Sequence, residues 1–81
     1  MELVELLARE LVEWPEGVEK VVQNHNRNIE GYGNDCGVVD AVTDCWNGRE
    51  YTGFNKELGI LASDRLTAIV TREMWGLSAL N

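Results

Sequence analysis

The run "VEKVVQNHNRNIEGYG", Val18–Gly33, sets two apolar segments on either side of a polar one. Val21 and Val22 precede "QNHNRN", and Ile29 and Tyr32 follow it. Asparagine tolerates the left-handed angles of a tight turn, so the polar centre reads as the turn of a β-hairpin. The spacing predicts strands near residues 18–23 and 28–32. Gly31 and Gly33 mark either a bulge or the exit from the sheet. His25 falls in the polar turn and reads as an exposed loop histidine.

Upstream, "ELVELLARELVEW" has helical spacing. Leu3, Val4, Leu7, Leu11 and Trp14 share one stripe, and Glu2, Glu5, Arg9 and Glu13 share the opposite side. Glu5 and Arg9 are an i,i+4 pair in the favourable order. Pro15 biases Trp14 away from helical angles, and the turn "PEG" ends the helix there.

Downstream, "DCGVVDAVTDCWNG", Asp35–Gly48, holds both cysteines and three of the four aspartates. As a helix from Cys36 it gathers Val38, Val39, Val42, Cys45 and Trp46 on one stripe and turns Asp40 and Asp44 outward. Asp35 is placed as N-cap, and Asn47-Gly48 supplies the stop. A strand would put Val38, Asp40, Val42 and Asp44 on one face, so the helix is the better reading. "REYTGFNKELGILASD" allows a short strand at residues 50–52 and a helical turn or two around 56–61, which Gly53 and Gly59 weaken. "LTAIVT" reads as a buried strand, and Thr71 is placed to cap a terminal helix "REMWGLSAL", in which Gly76 predicts fraying. Trp14, Trp46 and Trp75 each lie near a predicted helix boundary on an apolar stripe, which assigns them to the core, with an interface anchor as the alternative. The sum is one α+β domain over residues 1–81, two or three helices packed on a small antiparallel sheet.

Fourteen acids against seven bases give a net charge of -7. That disfavours nucleic acid and anionic membrane as partners, since both call for a positive surface. It favours a basic protein partner or plain solubility. The charge is uneven: residues 1–19 carry six glutamates and one basic residue, Arg9. No apolar run approaches the roughly 20 residues of a membrane span, and the acidic N-terminus lacks the charge of a leader. A cytoplasmic protein is expected. The acidic candidates for a partner-binding surface are Glu2, Glu5 and Glu13 on the first helix, and Asp40 and Asp44 on the second.

Chemical motifs are sparse. On the helical reading, Cys36 and Cys45 point about 180° apart and lie roughly 13 Å apart along the axis, beyond disulfide reach. Both read as reduced thiols. Zinc sites use three or four His or Cys ligands, commonly at C-x2-C or H-x3-H spacing, whereas this chain offers C-x8-C and one distant histidine. Asp35, Asp40 and Asp44 lack the spacing of a calcium loop. No metal, cofactor or catalytic residue is expected, and the protein reads as a non-enzyme. One alternative is tested by "NDCG", which resembles the start of the catalytic helix in papain-like cell-wall peptidases. A helix N-terminus there would stabilise a thiolate at Cys36. Those enzymes place a histidine after the cysteine, and none follows Cys36.

Two further segments, "LLARELVEWPEG" (Leu6–Gly17) and "LASDRLTAIVTREMW" (Leu61–Trp75), resemble the beginnings and ends of small uncharacterised proteins of tailed phages and prophages of enterobacteria. The resemblance covers about a third of the chain and implies a viral origin and expression in the bacterial cytoplasm. It carries no site residues across. Small acidic phage proteins of this kind often bind a host machine stoichiometrically, some blocking CRISPR effectors or restriction enzymes at their basic grooves. The expectation is therefore an inhibitor that docks on a basic host or phage protein through its acidic faces. Two alternatives stand beside it: a homodimeric accessory viral protein joined through a tryptophan-bearing face, and a cysteine-dependent hydrolase using Cys36.

Overall fold

A computed structural model describes residues 1–79. Its elements run α1 (Leu3–Glu10), β1 (Lys20–Gln23), β2 (Asn28–Tyr32), β3 (Tyr51–Glu57), β4 (Val70–Thr71) and α2 (Arg72–Ala79). The strands form one antiparallel sheet in the order β3-β2-β1-β4. With two helices and a four-stranded sheet, the fold is α+β, as the sequence indicates.

The hairpin lies where the apolar spacing puts it. Lys20 pairs with Tyr32 and Gln23 with Ile29, and Asn24–Arg27 make the turn. Successive side chains alternate between faces. Val21, Ile29 and Val70 therefore join Leu3, Leu6, Leu7 and Leu11 of the helical layer, while Val22 and Tyr32 face the other way, towards Cys36 and Trp46. Gly31 marks a bulge, as one of the two readings has it: the register of β2 against β3 shifts between Glu30 and Tyr32. A Cβ at Gly31 would come within 2.7 Å of a Val18 methyl.

α1 begins as expected and ends early. The Glu2 N–H donates to Glu5 Oε1 at 3.0 Å, and the Leu3 N–H donates to Asp64 Oδ1 at 2.8 Å. Two of the helix's orphan donors are thereby satisfied, one from 61 residues away. The Glu5–Arg9 pair is not made, because Glu5 turns back to this cap and the Arg9 guanidinium lies against Met1 Sδ. Leu11 already has extended angles, and its side chain drops into the core. Glu13 and Trp14 consequently lie beyond the helix rather than on it. The Trp14 ring reaches back to stand 5.8 Å from that of Trp75 on α2, and its Nε1–H donates to the Val18 carbonyl.

Asp35–Gly48 is not a helix. It is a closed loop that covers the second face of the sheet. Val39 and Trp46 form an isolated antiparallel bridge, with Asp40 N–H donating to the Cys45 carbonyl and Asn47 N–H to that of Val38. The tip is turned by Asp40, whose Oδ1 accepts the N–H groups of Val42 and Thr43 at 2.7 and 3.2 Å. Asp44 follows with a left-handed φ of 56°. Two glycines close the neck. A Cβ at Gly48 would stand 2.6 Å from the Asp35 carbonyl oxygen and 2.9 Å from Cys36 Cα, and one at Gly37 would run into the Asn47 carbonyl oxygen. No continuous apolar stripe results: Cys36 and Trp46 are buried, whereas Val38 and Val42 are exposed.

The remainder differs in extent. β3 continues through residues 56 and 57, where a helical turn is the sequence reading, and it tolerates Gly53 at φ 89°. Only Val70 and Thr71 of "LTAIVT" are strand, because residues 63–67 are turns tied to Asp64 and Met1. Thr71 does cap α2, its Oγ1 accepting the Met74 N–H at 3.3 Å. Leu80, the last residue of the expected helix, lies outside the described residues.

The glycines provide a paired test. Gly48→Ala should lose about 1–3 kcal/mol by forcing the neck open. Gly76→Ala, whose Cβ would meet nothing within 4 Å, should gain about 1 kcal/mol through helix propensity. Urea unfolding of both variants reads the two signs.

Candidate functional site

Polar side chains concentrate where the hairpin turn meets the covering loop. Asn24, at the end of β1, is buried. Its Oδ1 accepts the Trp46 N–H at 2.7 Å and its Nδ2 donates to Glu30 Oε1 at 2.6 Å. The Trp46 indole N–H in turn donates to the Arg65 carbonyl at 3.0 Å. Gln23 does the same work on the helical side: Nε2 donates to the carbonyls of Arg27 and Ile60, and Oε1 accepts the Ala62 N–H. Among the described residues no buried side-chain polar atom lacks a partner.

Arg65 carries a buried charge. Its side chain retains 10% exposure, and Nη2 stands 2.6 Å from Asp44 Oδ2. Bonding to that guanidinium holds the Asp44 carboxyl below the usual carboxylate range. Nη1 also donates to the Asp44 carbonyl at 3.4 Å. Beside this pair, His25 Nδ1 lies 3.3 Å from the same carbonyl and 3.7 Å from Cys45 Sγ. Burial and the charge of Glu30 push the Tyr32 phenol up to about 12.

The two cysteines are free thiols in different settings. Burial pushes the Cys36 thiol up against the opposing pull of Lys20. That is the reverse of what a nucleophile at a helix start requires, and there is no helix at Cys36 to supply a dipole. Cys45 is partly exposed. No cluster of three or more His, Cys, Asp or Glu residues able to hold a metal ion occurs among the described residues.

The expected acidic faces are reorganised. Glu2 and Glu5 cap α1 at its N-terminus, and Glu13 is exposed beyond the end of that helix. Asp40 and Asp44 share no helical face: one caps a turn, the other pairs with Arg65. Glu10 at the end of α1, and Glu16 and Glu19 between α1 and β1, none singled out from the sequence, are exposed like Glu13. The count of glutamates over residues 1–19 already pointed to them. Nothing in the spacing announced that His25 and Cys45 would meet. No protein family, curated protein or solved structure matches the chain.

Two measurements check this geometry. Because the folded Asp44 carboxyl titrates below its unfolded value of about 3.9, the pair's contribution is present above that value and lost as pH falls through the folded one. Asp44→Asn should therefore destabilise the protein at neutral pH, and by less at acidic pH as the carboxyl protonates, in urea unfolding. An equal deficit at both pH values would contradict the ion pair. Iodoacetamide should alkylate Cys45 well before Cys36 in the folded protein, with the two rates converging in denaturant.

Proposed function

We propose that the chain is a phage or prophage protein that works by stoichiometric binding to a basic protein surface, as an inhibitor of a host nucleic-acid-binding defence enzyme. One observation carries this reading. All six glutamates between residues 2 and 19 are exposed, and neither ion pair among the described residues, Arg49–Asp35 or Arg65–Asp44, uses any of them. No basic side chain is paired with them, and of the six only Glu2 and Glu5 take part in capping α1. Four of the six, Glu10, Glu13, Glu16 and Glu19, recur every third residue from the last residue of α1 to the residue before β1.

A groove that binds nucleic acid is lined with lysine and arginine, and an acidic protein competes for it through the same electrostatics. The net charge of -7 favours rapid encounter with such a groove and disfavours nucleic acid itself. The resemblance of Leu6–Gly17 and Leu61–Trp75 to small phage proteins supports the choice of a host defence enzyme as target. No described helix is long and apolar enough to cross a membrane.

The test is affinity capture from an enterobacterial lysate, with the captured protein identified and its binding measured on purified components. Replacing Glu10, Glu13, Glu16 and Glu19 together by glutamine should weaken binding about tenfold at low salt. The difference should vanish near 1 M salt, where the screening length is about 3 Å. Equal affinity of the parent and the fourfold variant at low salt overturns the proposal.

A further inference from the structure

Asn47 and Gly48 stand at the neck of the covering loop, and theirs is the one Asn-Gly step in the chain. Asparagine is among the chemically labile residues, and the fold leaves both reactive groups of this step unengaged. Asn47 is exposed. Among the described residues neither its carboxamide nor the Gly48 N–H makes a hydrogen bond. Other asparagines are better protected. Asn24 is buried, with its carboxamide bonded to Trp46 and Glu30, and Asn26 Oδ1 accepts the Asn28 N–H at 3.1 Å. Asn28, Asn34 and Asn55 precede Ile29, Asp35 and Lys56, whose side chains crowd the following peptide nitrogen. Gly48 has no Cβ and leaves that nitrogen open.

We propose that Asn47 is a site of spontaneous deamidation, and that its conversion unlocks the loop over the second sheet face. The reaction needs water and no other co-reactant. The Gly48 peptide nitrogen gives up its proton to water or hydroxide and attacks Asn47 Cγ. The new N–Cγ bond closes a cyclic imide as the Cγ–Nδ2 bond breaks, and Nδ2 takes a proton from solvent and leaves as ammonia. Water then opens the imide at one of its two carbonyls. Opening at Cγ gives aspartate. Opening at the backbone carbonyl gives isoaspartate, in which the chain runs through Cβ and Cγ.

The neck has no room for the second product. Isoaspartate adds a backbone carbon where the chain segments already touch. A Cβ on Gly48 would stand 2.6 Å from the Asp35 carbonyl oxygen, and one on Gly37 would stand 3.0 Å from Asn47 Oδ1. The lengthened chain also shifts Asn47, whose N–H donates to the Val38 carbonyl at 3.2 Å beside the Val39–Trp46 bridge. Aspartate leaves the backbone path unchanged, so the two products separate added charge from added length.

The full reduced chain, held at mildly alkaline pH and digested at intervals, tests this. Peptide mass spectrometry and labelling by isoaspartyl methyltransferase locate the products. Asn47 should convert several-fold faster than any other asparagine, mainly to isoaspartate. The label at this position should be lost in Asn47→Gln, whose longer side chain closes an imide far more slowly. The isoaspartyl form, isolated by ion exchange, should unfold at lower urea than the parent. Asn47→Asp, with the same added charge on an unlengthened backbone, should unfold close to the parent. Conversion led by another asparagine, undiminished labelling of Asn47→Gln, or an isoaspartyl form as stable as Asn47→Asp overturns the proposal.

Discussion

Val21 and Val22 are neighbours in a strand, so their side chains leave the sheet on opposite faces, and both are fully buried. Two adjacent valines thus oblige a chain of 81 residues to cover both sides of its sheet. Its two eight-residue helices pack together over one side. The other is left to chain without regular structure. Much else follows from that division: why Trp46 is buried although it lies on no helix, and why the loop that carries it must be closed at the neck. It also explains why buried polar groups gather at the loop's rim.

Covering a sheet with irregular chain raises the question of its backbone hydrogen bonds, since buried peptide groups must find partners. The loop answers with side chains from elsewhere. Asn24 stands in for a strand partner at the Trp46 N–H, and the Arg65 carbonyl receives the indole. On the helical side, Gln23 plays the equivalent part for residues 60–62. These contacts make residues 23 and 24, one step past the valines, the junction of four chain segments. The ion pair of Arg65 and Asp44 closes the same rim. Acids that serve the fold, Glu2 and Glu5 at the start of α1 and Asp40, Asp44 and Asp64, are thereby separated from the exposed Glu10, Glu13, Glu16 and Glu19, whose side chains make no ion pair.

Local signals made the hairpin and both helix starts legible. Valines beside an Asn-rich turn, the helical spacing of Leu3, Val4 and Leu7 and the Thr71 hydroxyl each act within a few residues, whereas the Glu2–Glu5 cap was not read from the sequence. Asp35–Gly48 misled because Val38, Val42, Cys45 and Trp46 mimic a helical period, whereas burial selects Cys36 and Trp46 and rejects the two valines. Gly37 and Gly48, which permit the neck, are the residues that distinguish the loop from the helix, and they look like ordinary helix ends in sequence. α1 stopped short for a tertiary reason: Leu11 and Trp14 reach the core more directly from extended chain. The acidic segment was visible as a count of glutamates. The meeting of His25 with Cys45 was not, since two long-range placements had to be known first.

The claim on which the rest depends is that Asp35–Gly48 closes over Val22 as a non-helical loop anchored by Trp46. Backbone chemical shifts with amide hydrogen exchange of the native protein test it directly. Extended-type shifts at residues 38–40 and 45–47, with a Trp46 amide protected as well as those of β1 and β2, are the predicted result. A continuous run of helical shifts from Cys36 to Trp46, with protection following helical periodicity, would contradict it.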